Sequence, residues 1–383
     1  MPHKHHTRKI MIIAGEASGD LHGANLVREM RSLDHGLSFY GIGGRRMKLE
    51  GVELLATSAE MAVVGLTEVV SKLGYILGVR RQLKESMRIS PPDLLILIDY
   101  PDFNMPLAQA ARKNGIKVFY YISPQIWAWR KGRRHRLGRT VDRMAVILPF
   151  EEDVYHDVDL DVRFVGHPLL DVVKTHGTKE DASRRFGLQS GTTTIAMLPG
   201  SRENEVATLL PEMLGAATIV QGQIPDCQFI VPLADTLNRE SLSGHTDRCP
   251  LDITIIEHDT YDALAYADIA IVASGTATLE TALLEVPMIV AYRVSPLSYL
   301  LGRLFVDIDH IGLVNIIAGK TVAPEFIQGA VKAADMAAEV LGILADTTRY
   351  REIKEELKRV KEKLGKPGAA ERAATMAMGL LQG

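Results

Sequence analysis

Cysteine is almost absent from this 383-residue chain: only Cys227 and Cys249 occur. Two thiols in a chain this long make no disulfide framework, and their spacing is not that of metal ligands, so a reducing compartment is expected. Neither sign of charge is in excess, with 44 Lys and Arg against 47 Asp and Glu. That balance gives no global reason to expect nucleic acid as a partner. Long apolar runs are missing too. The basic start, through Lys9, leads into Ile10–Ala14, which is too short for the hydrophobic region of a signal peptide. No stretch approaches the ~18–20 apolar residues of a spanning helix. A cytoplasmic protein is therefore expected, one that would meet a membrane only from its surface. There are just two tryptophans, Trp127 and Trp129, and they stand together.

What is present is rhythm. Short apolar runs that end in Gly, Pro, Ser or Asp alternate with longer amphipathic stretches, the pattern of a parallel sheet covered on both faces. Strands are expected at Lys9–Ala14, Leu37–Gly41, Leu94–Asp99, Val118–Ile122 and Met144–Leu148. A second set is expected at Thr194–Leu198, Gln228–Pro232, Ile253–Ile256, Ile269–Ala273 and Met288–Tyr292. Each half reads as a doubly wound α/β unit of about five strands. The join is expected at Gly166–Asp171, which gives domains 1–170 and 171–345 with a helical tail at 346–383. In such sheets, ligands bind at the carboxyl ends of the strands.

Several motifs fall at those ends. Gly15-Glu16-Ala17-Ser18-Gly19-Asp20 follows the first strand and opens a helix; it is either a ligand loop or a tight turn capped by Asp20. It lacks the G-x-G-x-x-G dinucleotide fingerprint. Asp99 and Asp102 follow the most hydrophobic strand, where general bases sit in α/β enzymes. Asn104 there is read as a helix cap. Trp127, Trp129 and Arg130 run into Lys131, Arg133, Arg134, Arg136 and Arg139, a mixture suited to a phosphate-bearing, partly apolar ligand or an anionic surface. Ser201 and Arg202 lie in Leu198-Pro199-Gly200-Ser201-Arg202, placed to meet a phosphate. Ser274, Gly275 and Thr276 could hold a diphosphate, and Glu280 could accept ribose hydroxyls. Asn315 sits in an apolar loop, either satisfied locally or turned toward a ligand. Gly319-Lys320-Thr321 is not a P-loop, because Val314 stands where the first glycine is required. The carboxylates at 157, 159 and 161, and at 307 and 309, read as surface acids, and no metal site is expected. Leu66, Val69, Val70, Leu73, Ile76, Leu77, Val79 and Leu83 follow helical spacing with Lys72, Arg80, Arg81 and Lys84 among them. That stretch is either a sheet-packed helix or an interfacial helix or acyl-chain groove.

Taken together, Gly-Glu-Ala-Ser-Gly-Asp at 15–20, Ile-Asp-Tyr-Pro-Asp-Phe-Asn at 98–104, Ser-Pro-Gln-Ile-Trp-Ala-Trp-Arg at 123–130 and Leu-Pro-Gly-Ser-Arg at 198–202 resemble the lipid A disaccharide synthases. Ser-Gly-Thr-Ala-Thr-Leu-Glu at 274–280 and Asn-Ile-Ile-Ala-Gly at 315–319 agree. The resemblance spans about residues 10 to 320, with order and spacing intact. It implies a GT-B fold, with two Rossmann-like domains and a cleft between them, and C-terminal helices 346–383 that return to the first domain. It implies an inverting hexosyl transfer that needs no metal or cofactor. UDP-2,3-diacylglucosamine would be the donor and 2,3-diacylglucosamine 1-phosphate (lipid X) the acceptor. The enzyme would be peripheral on the cytoplasmic face of the inner membrane, and subunits can exchange domains in a homodimer. Carried onto this chain, Asp99 is the expected base, and Glu16 is the second expected catalytic residue, positioning the acceptor. Ser201, Arg202, Ser274, Gly275, Thr276, Glu280 and Asn315 are expected on UDP. Ser18, Asp102, Trp127, Trp129 and Arg130 are expected on the acceptor or the membrane. Tyr100 stands where many members have Ala, and Val314 where many have Pro. Other readings are another GT-B UDP-sugar enzyme, such as an epimerase or a peptidoglycan-type transferase, and a non-catalytic lipid- or nucleotide-binding protein at a membrane surface.

Overall fold

The computed structural model describes residues 8–61, 66–127, 132–295, 299 and 309–382, with side chains left aside at 66–71. Trp129 and Arg130 fall outside this set, as do Lys131 and Asp307 and the side chains of Leu66, Val69 and Val70. The chain forms two compact units, residues 1–168 with 365–383, and residues 169–364.

The first unit is built on a seven-stranded sheet: β1 (Arg8–Ala14), β2 (Leu37–Gly43), β3 (Glu53–Thr57), β4 (Leu94–Ile98), β5 (Lys117–Tyr121), β6 (Arg143–Val146) and β7 (Asp161–Phe164). Their order is β3-β2-β1-β4-β5-β6-β7, and every described pairing is parallel. Strand alternation sends Met11, Ile13, Leu95, Leu97, Val118 and Tyr120 to one face. The helices Leu66–Ile89 and Pro101–Lys113 cover it with Val79, Leu83, Met87, Leu107 and Ala108. Ile10, Ile12, Leu94, Ile96 and Phe119 point the other way, under Val27 and Met30 of the helix Ala17–Leu33. The last helix, Ala369–Gly379, closes this second face with Ala373, Ala374 and Ala377, all fully buried. Alanines let its backbone approach the sheet closely.

The second unit carries β8 (Thr194–Leu198), β9 (Gln228–Pro232), β10 (Ile253–Ile256), β11 (Ile269–Ala273), β12 (Met288–Tyr292) and β13 (Glu325–Ile327). Their order is β10-β9-β8-β11-β12-β13, again parallel.

Three strands escape the sequence reading: β3, β7 and β13. All lie at sheet edges, are short, and are only partly buried, so no continuous apolar run announces them. The tail also divides differently from the expected boundary at 346. The helix Thr347–Lys363 packs on the second unit, with Ile353, Leu357 and Val360 buried, and Lys363 Nζ donates to the carbonyl oxygens of Ile317 and Ala318. Only residues from Gly365 onward belong to the first unit, because Gly365 and Gly368 at φ +90° and +93° break the helix there.

Candidate functional site

In each sheet the strand order reverses direction at one point, and crevices for ligands open beyond the carboxyl ends there. In the first unit that point lies between β1 and β4, whose last residues Ala14 and Ile98 are partners. Gly15 and Glu16 leave β1 and Asp99 leaves β4 at this position. In the second unit it lies between β8 and β11, where Leu198 pairs with Val272. Ser201 and Arg202 follow the first of these, and Ser274 to Thr276 follow the second.

Asp99 and Tyr100 both adopt left-handed backbone, at φ 42° and 47°. Two consecutive non-glycine residues in this region are strained and persist only where surroundings hold them. Here the Asp99 carbonyl accepts from Asn104 Nδ2 at 2.7 Å and from the Tyr120 hydroxyl at 2.5 Å, while its N–H donates to Tyr121 O. Asn104 is thus not the helix cap expected of it. It sits one turn inside the helix and ties the end of β4, donating also to Ile98 O. Burial, followed by the charge of Glu16, pushes the Asp99 carboxyl up to about 6, although its own backbone contact with Tyr100 opposes the rise.

Glu16 and Ser18 are exposed at the mouth of the helix Ala17–Leu33. Asp20 is not the cap of that helix but a member of its first turn. It accepts the N–H groups of Gly44, Arg46 and Met47 at 2.6, 3.0 and 3.0 Å, and so anchors the neighbouring glycine turn. Further along the same helix His22 has a buried Nδ1 with no hydrogen-bond partner among the described residues. Burial lowers its pKa to about 4, and burial with the nearby His22 lowers that of His167 to about 3.

Part of the basic stretch is already paired. Arg133 binds Asp102 at 2.5 Å, and Arg134 grips Asp157 through both carboxylate oxygens. Asp161 is likewise held by Arg143 and Arg163. Trp127 lies edge-on to Phe150, with ring centroids 5.1 Å apart. Beside it stands a residue the sequence reading passed over. Glu151 is 1% exposed, and its Oε2 accepts the N–H groups of Ile147 and Leu148 just beyond β6. Its only sequence signal is an acid at the start of a short helix after a strand. In the long helix Leu66–Ile89, Val79, Leu83 and Met87 pack on the sheet, while Leu73 and Leu77 are 47% and 39% exposed.

In the second unit Gly200 takes φ +119°, and the Ser201 N–H donates to Glu205 Oε2 at 2.9 Å. Arg202 reaches Glu205 at 3.5 Å, and its side chain is 69% exposed. Ser274 Oγ donates to Ile311 O, while Gly275 and Thr276 are exposed. Glu280 receives the Tyr261 hydroxyl at 3.0 Å, and burial raises its pKa. Asn315 resolves to the local alternative. Its Oδ1 accepts from the N–H groups of Val322 and Ala323, and its Nδ2 donates to Ala323 O and Glu325 Oε1. It lies not in a loop but in the short helix Leu313–Ala318, and all of its hydrogen-bonding capacity is spent on residues 322–325, which leaves nothing for a ligand in this arrangement. Glu325, also unanticipated, fixes the start of the same helix through the N–H groups of Ile311 and Gly312.

Comparisons with known proteins agree on what these loops belong to. Solved structures share the two-domain GT-B architecture at low identity. The UDP-GlcNAc 2-epimerase of Neisseria meningitidis, solved with UDP-GlcNAc, superposes with a TM-score of 0.64 at 12% identity, covering 98% of this chain and 99% of that one. MurG of Acinetobacter baumannii gives 0.58 at 15%, covering 97% and 99%. Likeness in sequence is far closer to the lipid-A-disaccharide synthases of Syntrophus aciditrophicus, 57% identical, and Geobacter sulfurreducens, 48% identical, each covering 98% of both chains. The family model for lipid-A-disaccharide synthetase matches residues 10–378. With full-length relatives at this identity and the glycine turns and carboxylates at the two switch points, the chain belongs to the lipid-A-disaccharide synthase family of glycosyltransferases.

Proposed function

We propose that the chain transfers 2,3-diacylglucosamine from UDP to the 6-hydroxyl of 2,3-diacylglucosamine 1-phosphate with inversion. The products would be UDP and a β(1→6)-linked disaccharide 1-phosphate. The observation that carries this reading is the placement of Asp99: a withdrawn carboxyl at the switch point of one sheet, titrating near neutrality. A general base works best when its pKa lies near the working pH. Asp99 takes the hydroxyl proton as the oxygen attacks the anomeric carbon; the bond to UDP breaks and its electron pair leaves with the diphosphate. Inversion calls for base and leaving group on opposite faces of the sugar.

The second unit supplies the diphosphate grip. Arg202 and the exposed Gly275-Thr276 turn offset the charge that develops on UDP, and Ser201 and Ser274 shape these loops. Glu280 accepts the ribose hydroxyls. Asn315 acts indirectly, by holding residues 322–325 against its helix. Glu16 tunes Asp99, while Ser18, Asp102, Trp127, Trp129 and Arg130 serve the acceptor. Exposed Leu73 and Leu77, flanked by Lys72, Arg80, Arg81 and Lys84, suit acyl chains and an anionic membrane surface, here the cytoplasmic face of the inner membrane. No helix among the described residues is long and apolar enough to cross one.

The test is incubation with both lipid substrates in the presence of chelator, following disaccharide and UDP. Disaccharide formation supports the reading. Donor epimerisation, or UDP binding without turnover, overturns it.

A further inference from the structure

Glu151 has no place in the reaction just described, yet it is among the most buried acids of the chain. It sits beyond β6, and Asp99 lies beyond β4, two strands away at the same end of the sheet. Between them the strand β5 leads to Ser123, whose hydroxyl is 2.7 Å from that of Tyr155, and on to Trp127. The Trp127 indole nitrogen is buried without a partner among the described residues. It lies close enough to Glu151 to be felt there, short of hydrogen-bonding geometry.

We propose that Glu151 is a positioning residue, its carboxyl bracing the turn after β6 and the Trp127 ring against the sheet end where Asp99 works. The groups that face it are the backbone N–H groups of Ile147 and Leu148, the Trp127 indole and the Asp99 carboxyl; Tyr155 is its neighbour through the Tyr155–Ser123 pair. Burial dominates and holds the Glu151 proton to about pH 8, with the charge of Asp99 adding to the rise. Asp99 loses its proton first, so at neutral pH the site holds one buried negative charge, on the base. Ionising Glu151 places a second charge in the same apolar surroundings. That charge draws water or moves the turn, and Trp127 moves with it.

This inference rests on Asp99 as the base, but its test does not. In a Trp129→Phe background the Trp127 indole is the sole emitter. Its fluorescence is expected to titrate with a midpoint near pH 8, to lose that step in Glu151→Gln, and to keep it, shifted to lower pH, in Asp99→Asn. The turnover profile is expected to fall about tenfold above the same midpoint, and Glu151→Gln to remove the fall. Glu151→Ala, if folded, should lower kcat about tenfold at neutral pH with donor KM little changed. A fluorescence step that persists in Glu151→Gln, or a Glu151→Gln profile that superposes on the parent's, would overturn the proposal. If Asp99→Asn remains active while the fluorescence step behaves as stated, the reading of Asp99 fails and the Glu151 brace stands.

Discussion

The ring of Tyr100 occupies the space that a side chain at Gly15 would need: a Cβ built there falls 2.3 Å from Tyr100 Cδ1 and 2.6 Å from Cε1. The ring is not free to swing aside. It stacks on Phe103 at 5.4 Å, its hydroxyl donates to Met61 O, and its backbone is left-handed. Gly15→Ala should therefore disturb the Asp99-Tyr100 turn and lower kcat about tenfold. Tyr100→Ala should relieve the clash and restore most of the loss in the double variant. A coupling energy of at least ~1 kcal/mol from the four-enzyme cycle is expected, and strict additivity would refute the steric account.

Asp99→Asn should cut turnover at least ~10²-fold with UDP binding intact, the usual scale for a lost general base. In the parent enzyme, activity should rise with pH through about 6 as Asp99 ionises. Glu16 is one cause of that high value, so Glu16→Gln should move the acid limb downward. An unmoved limb would separate Glu16 from Asp99.

Asn315→Ala should behave as a stability variant. It removes the acceptor of two buried N–H groups and the donor to Ala323 O, and takes one of three donors from Glu325. A loss of roughly 2–4 kcal/mol in urea unfolding of the second unit's transition is expected. Full stability with a selectively weakened UDP affinity would instead return Asn315 to the ligand.

The buried acid and the buried histidines pull stability in opposite directions with pH. Glu151 has a folded pKa raised to about 8, so the folded state binds the extra proton between its ordinary value and 8, and the stability it lends is lost as pH rises through that window. His22 and His167 have folded values lowered to about 4 and 3, so the unfolded state takes up protons first as pH falls below about 6.5. Stability is lost there toward acid. Glu151→Gln should flatten the alkaline side of a melting-temperature profile, and His22→Gln the acid side. Profiles parallel to the parent's would show that these groups titrate normally.

The sequence made the central strands legible because each is an unbroken apolar run, and it made the switch-point loops legible because glycine, hydroxyl and acidic residues follow those runs directly. It did not disclose which way a side chain turns. Asp20, Asn104 and Asn315 share the polar, loop-proximal signature of Asp99, yet Asp20 and Asn104 spend themselves on backbone groups, and Asn315 on backbone groups and the Glu325 carboxylate. Glu151 was hidden for the converse reason: nothing in Pro149-Phe150-Glu151-Glu152 separates the buried acid from its exposed neighbour. Composition gave the basic stretch near Arg133 more free charge than it has, since its acidic partners Asp102 and Asp157 come from distant segments.

The alanine-lined helix Ala369–Gly379 completes a sheet whose first strand begins some 360 residues earlier in synthesis. On a ribosome, that sheet emerges, and the whole second unit after it, while one apolar face still waits for its cover. The nascent protein therefore carries a sticky surface until that helix has been made. Chains interrupted after Leu364 should be captured by chaperones or proteases even though Asp99 and the strand-end loops of both sheets are already synthesised.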